Sequence, residues 1–95
     1  MGLTEPQTMT EALVRARSDL ARRLGVPESD ITEGSAEQAE FPDAALGAPA
    51  KGEMSAQVIT DGWRILLMAN GKPYEYRASA HQLRLLNFNG ENYRV

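Results

Sequence analysis

The dipeptide Asn70-Gly71, which has a run of strand-forming residues on each side, is the sequence feature that most constrains the fold. Asn-Gly favours a two-residue hairpin loop because both turn residues must tolerate positive φ. Residues 63–69 and 72–78 are therefore predicted to pair as antiparallel strands. A two-residue loop also sets the register by counting, so that Trp63 faces Ala78 at the far end.

Side chains alternate between the two faces of a strand, so this register divides the hairpin into two sets. The set predicted to form the core beneath a helix is Trp63, Ile65, Leu67, Tyr74 and Tyr76. The opposite, mostly polar set is Arg64, Leu66, Met68, Glu75 and Arg77. Pro73 has no N–H group, so the outer side of the second strand is predicted to be unpaired there.

Arg64 is predicted to lie directly opposite Arg77, which is unfavourable unless a negative charge is close. Two interpretations remain open. Glu75, diagonal to Arg64, relieves an exposed pair locally, or an anionic group of a partner docks between the two guanidiniums. Arg64 and Arg77 are therefore candidate interaction residues, together with Leu66 and Met68 on the same face.

A helix is predicted from about Thr8 to Leu24. Thr8 and Glu11 have the spacing of a capping box. Gly25 suits the left-handed position after a helix, and Pro27 prevents continuation. The apolar stripe predicted to face the sheet is Met9, Leu13, Ala16, Leu20 and Leu24.

Asp19 and the helix arginines are predicted to lie away from this stripe. Asp19 is spaced to form weak surface pairs with Arg15 and Arg23. The arginines of the last turn also complement the helix dipole, so they do not require a nucleic-acid partner.

The remaining elements are strands. Residues 30–38 are predicted to form a short or edge strand, and residues 55–60 a strand closed by an Asp61-Gly62 turn. Residues 83–88 follow as a further strand, after which Asn89-Gly90 can start a turn.

These elements predict an α+β fold with an N-terminal helix packed on one face of an antiparallel sheet of four or five strands. Residues 1–7 are expected to be a flexible tail and residues 8–95 a single domain, because no interior stretch resembles a linker between two cores.

Composition narrows the function classes. The net charge is −3, from 10 Lys and Arg against 13 Asp and Glu, which argues against a nucleic-acid partner. The chain has no cysteine, so disulfides and thiolate chemistry are excluded. No apolar run is long enough for a membrane helix. We expect a cytoplasmic protein without a membrane role, or an exported one if a signal peptide has been removed.

Catalytic groups are sparse. His81 is the only histidine and falls in a connection between strands, where a surface role is expected. No acid/base pair, phosphate loop or calcium loop has the required spacing. We therefore expect no enzyme activity, no catalytic or metal site and no cofactor.

Residues 41–54 form a long segment without periodicity, rich in Gly, Pro and Ala. Loops of this length are uncommon in compact domains and are often functional, although a permissive surface connection is the simpler interpretation. The candidate interaction residues here are Leu46, Gly47, Ala48 and Pro49.

Four segments carry a family resemblance, namely residues 19–26, Phe41-Pro42-Asp43 with Leu46-Gly47-Ala48-Pro49, residues 62–67, and Tyr74-Glu75-Tyr76-Arg77. Over residues 12–87 they resemble a small bacterial domain of unknown function, whose exported members are expected to have an aromatic-Pro-Asp turn, a Leu-Gly-Cys-Pro loop and a Tyr-x-Tyr-His strand. The chain departs from this pattern at Ala48, Arg77 and Asn87, where it lacks the two cysteines and the histidine, as a cytoplasmic branch without a disulfide would.

The order of elements also resembles PepSY and cystatin-like modules, some of which inhibit proteases. The leading hypothesis is a non-catalytic module that binds an unknown protein or peptide through the 41–54 loop or the Leu66 and Met68 face. The alternative is a protease inhibitor that presents the 41–54 loop, and a third is a weak enzyme that uses His81. We expect a monomer rather than a homodimer.

Overall fold

The computed structural model describes residues 6–95, which form one α-helix, one short 3₁₀ helix and five strands. In chain order the elements are α1 (Met9–Leu24), a short 3₁₀ helix (Glu28–Asp30), β1 (Ile31–Phe41), β2 (Thr60–Ala69), β3 (Lys72–Ala78), β4 (Leu83–Phe88) and β5 (Glu91–Arg94). The strands form one antiparallel sheet in the order β1-β2-β3-β4-β5, and α1 packs on one face. The predicted α+β fold is confirmed.

Both ends of α1 are determined by local sequence, as predicted. The Thr8 hydroxyl accepts the Glu11 N–H at 3.1 Å, and the Glu11 carboxylate accepts the Thr8 N–H at 2.8 Å. Gly25 has a φ of 68°, and the Val26 N–H donates to the Ala21 carbonyl, the pattern of a Schellman cap.

The buried side of α1 includes Ala16 and Leu20 of the predicted stripe and also Ala12, which was not predicted. Ala12, Ala16 and Leu20 are fully buried at its centre. Leu13 and Leu24 lie at its margins, where they are half-buried. Apart from Leu20, the residues at the centre of this side are therefore alanines.

Asp19 was predicted to lie on the surface, and this was wrong. Its side chain is buried with the core-facing side of α1, and the residue is only 5% exposed. The Tyr76 hydroxyl donates to Asp19 at 2.7 Å, and Arg22 and Arg23 donate at 2.7 and 2.8 Å. Three donors replace the water that this carboxylate loses.

The central hairpin has the predicted register at all seven pairs from Ala69–Lys72 to Trp63–Ala78. Ile65, Leu67 and Tyr76 are buried beneath α1, and Trp63 is half-buried against the same core. The outer side of Pro73 is unpaired, because β3 pairs with β4 only from Tyr76 onward.

Two predicted strands need correction. The first strand is the predicted edge strand, but it is 11 residues long rather than short. Residues 55–59 form no strand, and Asp61-Gly62 lies inside β2 instead of forming a turn. Gly62 is required by packing, since a Cβ there would overlap the Ala78 carbonyl oxygen.

The end of the chain follows the prediction, with β4 at Leu83–Phe88 and an Asn89-Gly90 turn leading into β5. Residues 1–5 of the predicted tail lie outside the described residues. Gln7, which was counted in that tail, is held by its side-chain amide, which donates to the carbonyls of Ser79 and Gln82 at 2.8 Å.

Candidate functional site

The sheet face opposite α1 carries a row of arginines, one on each strand from β2 to β5. Neighbouring members stand at directly paired positions, in the order Arg64, Arg77, Arg84 and Arg94. Like charges at paired positions destabilise a sheet unless acceptors lie close to them. The electrostatics of this face therefore depend on what neutralises the row.

Glu75 neutralises the first two arginines. Its Oε2 accepts from Nε of Arg64 at 3.2 Å and from Nε of Arg77 at 2.8 Å. The ring of Phe41 lies 5.8 and 5.4 Å from the same two guanidiniums. Each of these arginines thus has a carboxylate partner within the chain, which favours local relief over the docking of an external anion.

Glu53 neutralises the third arginine. Arg84 is only 3% exposed, and its Nη1 and Nη2 donate to the two carboxylate oxygens of Glu53, the second at 2.8 Å. These bonds, with a further one from the Ala50 N–H, lower the pKa of Glu53 to about 2. Glu53 is therefore ionised at neutral pH. Arg94 also lies close to this carboxylate, at 3.9 Å.

Residues 42–59, which we call the cover loop, connect β1 to β2, and their first part, up to Glu53, packs onto this arginine row. Leu46 and Ala48 are fully buried, and their carbonyls accept from Arg77 at 3.0 Å and Arg84 at 3.3 Å. Gly47 has a φ of 66°, and a Cβ there would lie 2.8 Å from Nη1 of Arg77. The centre of the predicted loop site is therefore packed against the sheet.

Pro49 is the exposed member of the predicted loop site. Its carbonyl accepts from the Asn92 side chain at 3.0 Å, which fastens this part of the cover loop to β5. Of the candidate residues, Leu46, Gly47, Ala48 and Arg77 are thus brought together as internal packing.

The cover loop leaves part of the face open, and we call this part the open face. Leu66 and Met68 lie there on β2 and are half-buried, with Arg64 exposed beside them. Leu86 on β4 is half-buried too, and it lines the same shallow depression as Leu66 and Pro73. Arg64, Leu66 and Met68 are therefore neighbours on the open part of the sheet, whereas Arg77 lies with the loop residues.

A hollow on the α1 side, at the end of the sheet, was not predicted from the sequence. It is lined by Gln38, Ala39, Glu40, Asp61, Gly62, Trp63 and Ala80. Asp61 was assigned to a turn, so its pairing with Glu40 in a continuous strand was not foreseen. The alternation of polar residues from Gln38 to Glu40 was the available signal.

Two further features bear on function. The part of the chain that the structure describes has no group of three or more side chains placed to hold a metal ion. Nor does any helix within residues 6–95 combine the length and apolar character needed to cross a membrane.

Comparison with known proteins gives one match. A family model described as a domain of unknown function, DUF8738, matches residues 13–86. No curated protein and no solved structure matches the chain.

Proposed function

The chain belongs to the domain-of-unknown-function family DUF8738, and we propose that it is a non-catalytic module that binds a protein or peptide partner through the open face. The observation that carries this proposal is the unequal covering of the sheet. One face lies beneath α1, whereas the cover loop protects only part of the other and leaves Leu66, Met68 and Leu86 half-buried. Apolar side chains that a fold leaves partly uncovered on one sheet face can serve as a partner-binding surface.

The arrangement of the cover loop supports the open face over the loop as the contact surface. To present Leu46 to Pro49 to a protease, the chain would have to give up the bonds from Arg77 and Arg84 to the loop carbonyls. The inhibitor alternative is therefore the weaker proposal. The resemblance to PepSY and cystatin-like modules stays a prediction.

The state of the titratable groups supports a non-catalytic role. Perturbed pKa values cluster at catalytic sites, but they also arise in structural ion pairs. The perturbed groups Glu53 and Tyr76 are bonded internally, to Arg84 and Asp19. His81 is exposed in a loop. The cysteine-free sequence and the resemblance to a bacterial domain support a bacterial, cytoplasmic setting for the module.

The test places a photo-crosslinking amino acid at position 66, or at position 14 as a control, in cells that express the chain. Val14 is an apolar residue on α1 that is 62% exposed, so it reports non-specific apolar contact. We expect a discrete adduct from position 66 and none from position 14. Equal adducts from both positions would contradict the proposal.

The purified partner then allows a quantitative comparison. Leu66→Lys should weaken its binding at least about tenfold, whereas Val14→Lys should change it less than about twofold. Sedimentation equilibrium of the chain alone shows whether the partner is a second copy. An unchanged affinity for the Leu66→Lys variant would place the binding surface elsewhere.

A further inference from the structure

The outer edge of β1 is unpaired. β1 is a terminal strand of the sheet, and no strand within residues 6–95 pairs with its other side. It is also the longest strand, at 11 residues, and it is regular from Ser35 to Phe41 beyond an irregularity after Glu33. An edge of this length exposes backbone donors and acceptors that can receive another strand.

The charges on β1 discriminate among strands that could pair with it. Glu33, Glu37 and Glu40 are exposed, and β1 contains no Lys or Arg. A second copy of β1 would bring acidic residues against acidic residues, which is unfavourable. A strand with basic residues would gain complementary charge along the same edge.

The hollow at the end of β1 has the chemistry of a cation site. Glu40 and Asp61 are directly paired there, on the same face as Trp63, and neither forms an ion pair with a basic side chain of residues 6–95. The indole of Trp63 is half-buried in the lining. Carboxylates beside an aromatic face attract ammonium and guanidinium groups.

The hollow and the edge are contiguous, because Gln38, Ala39 and Glu40 belong to both. A strand added beside β1 would lie about 4.8 Å from it and about 10 Å from β2, which carries Trp63. A long basic side chain beside Glu40 would therefore be able to reach the hollow that Trp63 lines.

We propose that the β1 edge binds an extended basic segment of another protein as a sixth strand, with a Lys or Arg side chain in the Glu40, Asp61 and Trp63 hollow. This surface is distinct from the open face, so the inference goes beyond the proposed function and does not depend on it.

The probe is the capped heptapeptide Thr-Arg-Thr-Arg-Thr-Arg-Thr, whose alternation suits a strand and whose charge is complementary to β1. Trp63 is the only tryptophan, so its fluorescence reports occupation of the hollow directly. Amide chemical shifts and hydrogen exchange of the ¹⁵N-labelled chain report pairing at residues 35–41. We expect saturable binding with a Kd at or below about 1 mM. The changes in chemical shift and in hydrogen exchange should be centred on residues 35–41.

Two control peptides separate the contributions. Replacing each Arg by Glu should abolish binding, because the charges then repel. Replacing each Thr by Pro keeps the charge but removes backbone donors and strand geometry, and it should weaken binding at least about tenfold. Equal binding of the Pro peptide would overturn strand addition, and equal binding of the Glu peptide would overturn the charge argument.

Variants of the chain complete the test. Glu40→Lys should weaken binding of the Arg peptide at least about tenfold. Glu91→Lys makes the same charge change on β5, at the opposite edge of the sheet, and it should change this affinity less than about twofold. Urea unfolding checks that both variants are folded, and Asp61→Asn serves as a milder second variant. An equal loss of affinity in the Glu40 and Glu91 variants would show that only the net charge matters, and it would overturn the proposed site.

Leu66→Lys separates this inference from the proposed function. That variant changes the open face on the other side of the sheet, and it should leave Arg-peptide binding within about twofold of the unmodified chain. A larger loss would show that the peptide binds the open face instead.

Discussion

The hydrogen bond from Tyr76 to Asp19 joins the centre of the sheet to α1, and removing it should be costly. Tyr76 is fully buried, and its hydroxyl oxygen lies 2.7 Å from Oδ2 of Asp19. Tyr76→Phe removes only the hydroxyl, and the carboxylate keeps its bonds from Arg22 and Arg23. A hydrogen bond to a charged group contributes about 1.5 to 3 kcal/mol. We expect a loss of about 2 kcal/mol, or about 10 °C in Tm.

Asp19→Ala should cost more, about 3 kcal/mol, because it leaves the Tyr76 hydroxyl buried without an acceptor. Arg22 adds little to this figure, because its side chain is 72% exposed. Arg23 is more buried, at 17%. In a double-mutant cycle, Tyr76→Phe in the Asp19→Ala background should cost about 1 to 2 kcal/mol less than it does alone.

The assay is urea unfolding followed by the fluorescence of Trp63. Tyr74→Phe is the matched control, since Tyr74 is half-buried on the same face and its hydroxyl has no hydrogen-bond partner among residues 6–95. It should change stability by less than about 0.5 kcal/mol. If Tyr76→Phe were equally mild, or the coupling near zero, the account of α1 docking would be refuted.

Three other predictions concern stability. Gly25→Val should cost more than about 1 kcal/mol in urea unfolding, because φ is 68° there, and an unchanged midpoint would contradict the cap. Gly62→Ala should destabilise the fold by about 3 kcal/mol, because the added Cβ clashes with the backbone. Gly34→Ala should destabilise it clearly less, because the nearest atom to its added Cβ is 3.1 Å away. A larger loss for Gly34→Ala than for Gly62→Ala would be inconsistent with this packing. Arg84 lowers the pKa of Glu53 to about 2 in the folded chain. The contribution of this carboxylate to the free energy of unfolding is therefore complete above pH 4.5 and is lost as the pH falls towards 2. In the Glu53→Gln variant, the urea midpoint should fall less between pH 4.5 and pH 2 than in the unmodified chain. An equal fall in both proteins would contradict this role of Glu53.

The features predicted from sequence are those that depend on neighbours in the chain. The capping box at Thr8, the left-handed Gly25 and the Asn70-Gly71 turn each need only a few consecutive residues, and all three are present. The hairpin register follows from the turn by counting. Local chemistry was therefore sufficient for the two ends of α1 and for the pairing of β2 with β3.

The errors have long-range causes. Asp61-Gly62 has the composition of a turn, but this glycine is needed because the Ala78 carbonyl passes close to it. Nothing in the residues around Gly62 reveals that approach. Residues 55–59 have the composition of a strand, but β1 pairs with β2 only from Thr60 onward.

The buried charges were hidden for the same reason. Asp19 accepts a hydrogen bond from Tyr76, which is 57 positions away in the sequence. Arg84 donates to Glu53, at a separation of 31 positions. Helical periodicity assigns a charged residue to the surface unless its partner is known. Of the candidate site, the alternation of Leu66 and Met68 with the core was predictable, whereas the packing of Leu46 and Ala48 was not.

The arginine row gives the cover loop a structural reason to lie where it does. The cover loop contains no helix or strand, so its carbonyls need donors from elsewhere, and the arginines need acceptors. Arg77 and Arg84 meet both needs through Leu46 and Ala48, and Glu53 adds the carboxylate that Arg84 requires. A loop that satisfies two arginines of the sheet in this way cannot leave without exposing unpaired charge on both sides. A partner of the kind proposed would therefore meet less resistance at surfaces where the chain has no bonds to break, such as the open face and the outer edge of β1.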